Sequence, residues 1–211
     1  MKFSAQIRRM MGAIALLFVA AIAGVAVLDS PPIASGPTSL RATIGDVAQR
    51  WPEIGHIAPA QVGPLLDDRK VVLFDVRQDA EYAVSHLPGA IHVKPGTSRG
   101  AFLDRYGDDV KGKTVVFYCS VGERSSSLAS QVAEDLKARG ALAVEDLAGG
   151  IFAWHGEARP LVDAKGPTEF VHPFDSSWGR LVSRQDLVRT EPRVSATPLK
   201  QICMNATPCA R

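Results

Sequence analysis

The sequence predicts an α/β domain with a mostly parallel central sheet and helices on both faces. Three observations carry that expectation. Short continuous apolar runs, "KVVLFDV" at residues 70–76 and "KTVVFYC" at 113–119, suit strands covered on both sides. Segments with helical spacing lie between them, and alternating strands and helices are the pattern of a parallel sheet. Asp75 and Cys119 fall at the C-terminal ends of these two runs, where such sheets gather their ligands.

Length and charge narrow the field. The chain has 211 residues, 46% of them hydrophobic, enough for one well-buried domain with material to spare. A formal net charge of +2 leaves no basic footprint, so nucleic acid is not an expected partner.

The elements follow in order. Lys2, Arg8 and Arg9 precede "MMGAIALLFVAAIAGVAVL", an uncharged run at residues 10–28. At a rise of ~1.5 Å per residue it spans roughly a bilayer core, and it lacks the polar stripe of a core helix. The basic residues favour a cytoplasmic N-terminus and export of the remainder. Two readings stand. One is an uncleaved inner-membrane anchor with the domain on the periplasmic side. The other is a signal peptide cut after Ala21-Ile22-Ala23 or Gly24-Val25-Ala26, releasing the domain to the periplasm. "DSPPIASGPTS", residues 29–39, reads as a linker. The expected divisions are an anchor or signal at 1–29, a linker at 30–45, the domain at 46–162 and a C-terminal extension at 163–211.

Within the domain, residues 56–66 predict a short strand and then a helix with Pro59 near its start, where the missing N–H is harmless. The strand 70–76 leads to a short helix, "DAEYAVSHL", stopped by Pro88-Gly89. "AIHV" is another strand, and "GTSRGAFLDRY" another helix. After the strand 113–119, "SSLASQVAEDLKARG" is a helix with Leu128, Val132 and Leu136 at four-residue spacing and Gly140 as its terminating glycine. "ALAVEDL" is the last strand of the sheet. "GGIFAWHGEARPLV" begins with a tight turn, continues as a short helix and leaves the domain at Pro160.

The chemistry is expected between Cys119 and a helix beginning near Ser125. Gly122 permits positive φ in that loop. A helix N-terminus carries roughly half a positive charge, and Arg124 adds a full one. Both favour an anionic sulfur nucleophile, so the loop reads as an anion cradle around Cys119. Ser125 and Ser126 can donate further bonds or cap the helix. A Cys-x5-Arg loop wraps a tetrahedral phosphate. The spacing here, Cys119-x4-Arg124, is one residue shorter, and each residue supplies up to ~3.5 Å of chain. The smaller ring suits one extra sulfur on Cys119 better than a phosphate.

"CSVGERSS" resembles the active loop of single-domain rhodanese-like sulfurtransferases. "LFDVRQDAEYAVSHLPGAIHV" and "DLAGGIFAWHGEARPLV" are similar to two further segments of that family, and together the three span residues 56–162. The resemblance implies a three-layer rhodanese-like domain. It implies a Cys119 thiolate that takes the sulfane sulfur of thiosulfate or a similar donor as a persulfide, then passes it to a thiol or cyanide acceptor. The catalytic residues would be Cys119 and Arg124. Ser120, Val121, Gly122, Glu123 and Ser125 would surround the substrate, their backbone N–H groups stabilising the negative sulfur as an oxyanion hole does. Asp75 and Arg77 would support the loop, with Arg77 paired to Asp75 or Glu81. No metal spacing and no cofactor motif is present.

Two departures from the family pattern stand out. Ser85 replaces a usual glycine. Glu123 puts a negative charge in the loop and weakens the field for a dianion such as thiosulfate. His86 is expected to bond a backbone carbonyl, neither His86 nor His92 to act as a base, and Trp154 to pack. The alternative function is a non-catalytic module that binds sulfur or docks a partner at the membrane. In the extension, Phe170, Phe174 and Trp178 can pack on the domain. Cys203 and Cys209 can form a disulfide, stay free, or relay sulfur or electrons to Cys119. In an oxidising compartment the reactive sulfur needs shielding by its loop or a reducing protein partner.

Overall fold

The computed structural model of the protein describes residues 38–194. The apolar run at 10–28 and the pair Cys203 and Cys209 lie outside these residues. Among the described residues no helix is long and apolar enough to cross a membrane.

Five parallel strands form the central sheet: β1 (Gly55–Ile57), β2 (Val71–Asp75), β3 (Ile91–His92), β4 (Thr114–Tyr118) and β5 (Ala143–Leu147), in the order β1-β5-β4-β2-β3. The helices between them are α2 (Pro59–Asp67), α3 (Asp79–Val84), α4 (Arg99–Tyr106), α5 (Glu123–Ala138) and α6 (Gly150–Gly156). Side chains alternate along each strand and feed two cores. Val72, Phe74, Val115 and Phe117 face Phe102 of α4 and Ala129, Val132 and Leu136 of α5. Leu73, Val116 and Tyr118 face Val62 of α2 and Ile151, Phe152 and Trp154 of α6. The expected three-layer architecture is therefore present.

Several boundaries differ from expectation for identifiable reasons. Helix α1 (Leu40–Arg50) occupies the end of the stretch read as a linker to residue 45. Ser39 caps it by accepting from the Ala42 N–H at 3.1 Å, and Val47 is buried. Helix α5 begins at Glu123 rather than near Ser125, because Gly122 takes the N-cap position at φ +110°. Pro59 does open α2, with the Gln61 side chain accepting from the Ala58 N–H at 3.0 Å. Gly140 stands just past α5 at φ +95°, as a terminating glycine should.

The chain does not leave the domain at Pro160. Strand β6 (Leu161–Asp163) pairs antiparallel with β7 (Gly166–Thr168), and Val162 exchanges two backbone hydrogen bonds with His86. Beyond them Val171, Leu181 and Val182 are buried in the α2–α6 core, with the short helix α7 (Ser176–Gly179) between. Asp175 caps α7 by accepting from the N–H groups of Ser177 and Trp178 at 2.7 and 2.9 Å. The described part of the extension is thus an integral layer of the second core.

Candidate active site

The loop from Cys119 to Arg124 joins the end of β4 to α5. Its shape is set from behind by α6. Gly149 and Gly150 both have positive φ, and the N–H groups of Ile151 and Phe152 donate to the carbonyls of Cys119 and Ser120 at 2.9 and 3.1 Å. Those two carbonyls are thereby held toward α6. A Cβ on Gly150 would stand 2.4 Å from the Cys119 carbonyl oxygen, so the close approach requires glycine. At Gly122 a Cβ would stand 2.7 Å from the Asp146 carboxylate, and its φ of +110° also favours glycine.

Within the loop, the Gly122 N–H donates to the Cys119 sulfur at 3.2 Å. Cys119 is 1% exposed, yet it lines a cavity of about 100 Å³ together with Ser120, Val121, Glu123 and Arg124. The residue thus borders a small, half-open chamber.

Arg124 does not present a free charge to that chamber. Its two terminal nitrogens donate to the Glu81 carboxylate at 2.8 and 2.9 Å, and one also donates to the Ser120 hydroxyl at 3.0 Å. The Ser120 hydroxyl in turn donates to Glu81 at 2.9 Å, and so does the Gln78 N–H at 3.0 Å. Burial works against the Glu81 carboxylate, but the Arg124 guanidinium outweighs it and holds its pKa below the ordinary value. Glu123 lines the cavity, as its position in the loop predicts, and is ion-paired with Arg50 of α1.

Asp75 and Arg77 form a fully buried pair behind the site. Arg77 donates to both carboxylate oxygens through Nε and Nη2, and Nη2 also reaches the Ser85 carbonyl at 2.6 Å. Arg77 therefore pairs with Asp75, while Glu81 belongs to Arg124. Ser125, expected beside the substrate, is fully buried and does not line the cavity. It sits with Ser126 next to Asp146, because α5 starts two residues early and turns both hydroxyls inward.

His86 and His92 are both engaged by backbone carbonyls. His86 bonds the Tyr82 carbonyl at 3.1 Å and His92 the Arg77 carbonyl at 2.8 Å. Trp154 packs in the core and donates its indole N–H to the Pro160 carbonyl. Among the described residues no cluster of His, Cys, Asp and Glu could hold a metal.

Three residues near the loop, His56, Asp146 and Arg50, escape the sequence. His56 and Asp146 lie 3.6 Å apart at the ends of neighbouring strands, beneath Gly122. Burial pushes the Asp146 carboxyl up to about 6, opposed by His56 and the two serines, and Asp146 in turn raises His56. Arg50 carries no local signal, since it meets Glu123 across 73 residues of chain. Glu81, one of two partners expected for Arg77, pairs with Arg124 instead. Phe174 and Trp178, expected only to pack, form part of the cavity wall.

Known proteins match the same region. Residues 58–157 match the Rhodanese-like domain family. The putative sulfurtransferase YtwF of Bacillus subtilis (strain 168) is 31% identical over 111 residues, covering 51% of this chain and 97% of that protein. The tRNA uridine(34) hydroxylase of Buchnera aphidicola subsp. Acyrthosiphon pisum (strain Tuc7) is 32% identical over 109 residues, which cover 49% of this chain but only 32% of that protein's length. A crystal structure of thiosulfate sulfurtransferase from Pseudomonas aeruginosa is 23% identical, covers 59% of this chain and 23% of its own, and superposes with a TM-score of 0.47. The family match takes in strands β2–β5, the cysteine loop and the paired glycines behind it, and a named relative is covered almost end to end: the chain belongs to the rhodanese-like family.

Proposed function

We propose that the protein is a sulfurtransferase in which Cys119 carries the sulfur as a persulfide. The observation that supports this most directly is the Gly122 N–H aimed at the Cys119 sulfur at the edge of a small chamber. A thiolate attacks the outer sulfur of thiosulfate, a sulfur–sulfur bond forms to Cys119, and sulfite departs with the electron pair of the broken bond. An acceptor thiolate or cyanide then takes the outer sulfur and returns Cys119 to thiolate. Arg124 orders the Ser120 hydroxyl and the loop through Glu81. Asp75 and Arg77 hold the β2 end that carries this segment.

The test is mass spectrometry after exposure to thiosulfate. A gain of about 32 Da on Cys119, removed by cyanide, is the expected result. Absence of the adduct with several sulfane donors would favour a sulfur-holding or partner-docking module instead. The burial of Cys119 at 1% exposure is the observation on that side. It also supplies the shielding that a reactive sulfur needs in an oxidising compartment. We place the domain on the periplasmic side of the inner membrane, tethered or released according to the fate of residues 10–28. N-terminal sequencing of the protein from its native membrane distinguishes the two.

A further inference from the structure

We infer that Phe174 and Trp178 make the Cys119 chamber selective for a sulfane donor bearing an apolar substituent and at most one negative charge, such as a thiosulfonate or a hydropersulfide. The inference rests on the sulfurtransferase reading and names its substrate class. Both residues lie in the C-terminal segment, beyond the family match at 58–157.

The charges around the chamber are already matched. Arg124, the cation among the described residues that line it, is held by Glu81, and Glu123 is held by Arg50. A dianion entering would bring two negative charges beside a third on the thiolate. The cost of stripping water from an ion grows with the square of its charge, so a dianion loses more than a monoanion wherever the apolar wall displaces its water. The thiosulfate dianion is poorly served here.

The wall offers apolar contact instead. The Phe174 ring lies 4.6 Å from the guanidinium carbon of Arg124 and covers one face of it. Trp178 packs against the α2–α6 core while also lining the chamber. Phe174 takes a left-handed backbone conformation, φ +68°, which bulky side chains rarely adopt. Its N–H donates to His172 Nδ1 at 3.0 Å, and the capped turn of α7 follows directly. Strain of this kind persists where the surroundings enforce it, and here the effect is to hold an aromatic ring over the Arg124 guanidinium.

The step balances for such a donor. The Cys119 thiolate attacks the outer sulfur of a thiosulfonate anion, a new sulfur–sulfur bond forms, and the bond to the sulfonyl sulfur breaks. The sulfinate leaves with that electron pair, and one negative charge remains on each product. An acceptor thiolate regenerates Cys119 as before.

The experiment compares kcat/KM for benzenethiosulfonate and thiosulfate in the full chain and in Phe174→Ala, Phe174→Leu and Trp178→Ala, at one ionic strength. Wild type is expected to favour benzenethiosulfonate by about tenfold or more, and Phe174→Ala to narrow that ratio about fivefold, chiefly through KM. Phe174→Leu should keep most of the preference. Phe174 is 39% exposed, so its truncation spares the core if Trp178→Ala does not fold. A wild type that prefers thiosulfate, or a ratio unmoved in Phe174→Ala, overturns the inference while leaving the sulfurtransferase reading intact. No Cys119 persulfide from either donor overturns both.

Discussion

Arg124 turns both terminal nitrogens to the carboxylate of Glu81, at 2.8 and 2.9 Å, across 43 residues of chain. The carboxylate also receives the Ser120 hydroxyl and the Gln78 N–H, so four donors meet on one buried group. The arginine of the loop is therefore a structural tie before it is a source of field.

Glu81→Gln should expose that dependence. It removes the charge and one acceptor oxygen while leaving Arg124 beside the loop. Losing one partner of such a pair should cost roughly 2–3 kcal/mol at pH 7, less than the ~3–5 kcal/mol of a fully buried pair because water reaches part of Arg124. The sign with pH follows from the lowered pKa. The carboxylate stabilises the fold above its ordinary value of 4.5, and that contribution is lost as pH falls through the folded value. Urea unfolding of both proteins should show the gap closing below about pH 4.5. A gap independent of pH would contradict the assignment.

Much of the sheet was legible in the sequence because buried parallel strands announce themselves as continuous apolar runs. Val71–Asp75 and Thr114–Tyr118 stand within a residue or so of where "KVVLFDV" and "KTVVFYC" put them. The position of Cys119 at a strand end was legible for the same reason. Helix α1 was not, because "LRATIGDVAQR" buries only Thr43 and Val47 and follows a proline-rich stretch. The partners of Glu81, Arg50 and Asp146 were not legible either, since each is brought to the loop by tertiary packing. The paired glycines Gly149 and Gly150 read correctly as a tight turn, but the close approach of Gly150 to the carbonyls of Cys119 and Ser120 appears only in space.

That approach gives a contrast between two glycines of similar backbone conformation. Gly150 has φ +54° and no room for a Cβ, whereas Gly112 has φ +72° and nothing within 4 Å. Gly112→Ala should cost about 1 kcal/mol from backbone conformation alone. Gly150→Ala should cost about 3 kcal/mol or more, because the loop carbonyls must move. It should also lose persulfide formation in the fraction that remains folded. Denaturant unfolding and Cys119 mass spectrometry measure both, and equal costs at the two sites would remove the steric role assigned to Gly150.

Asp146 should make the fold less stable as pH rises. Its carboxyl is raised to about 6 from an ordinary 3.8, so between those values the native state binds more protons than the unfolded chain. Stability attributable to this group is then present below pH 3.8 and declines up to about pH 6. His56, raised by Asp146, works in the same direction at higher pH: its contribution is full below 6.5 and is lost above. Asp146→Asn should therefore gain on wild type by roughly 2 kcal/mol between pH 4 and pH 7. Thermal unfolding across that range would reveal a constant difference if the carboxyl titrated normally.

Arg50 should govern how the loop's own acid acts on a charged donor. Glu123 lines the chamber, and Arg50, on a helix outside the family match, neutralises it. Removing Arg50 leaves the carboxylate facing an incoming anion, so Arg50→Ala should raise KM for thiosulfate about threefold at low salt, where the screening length is ~30 Å. Glu123→Gln should lower it by a similar factor, and the double variant should return close to wild type, because the charge that Arg50 masks is gone. The pair is partly exposed, so all three effects should fade at about 1 M salt, where the screening length falls to ~3 Å. Shifts of the two single variants in the same direction, or shifts indifferent to salt, would mean that Arg50 acts by packing α1 against the loop and not through its charge.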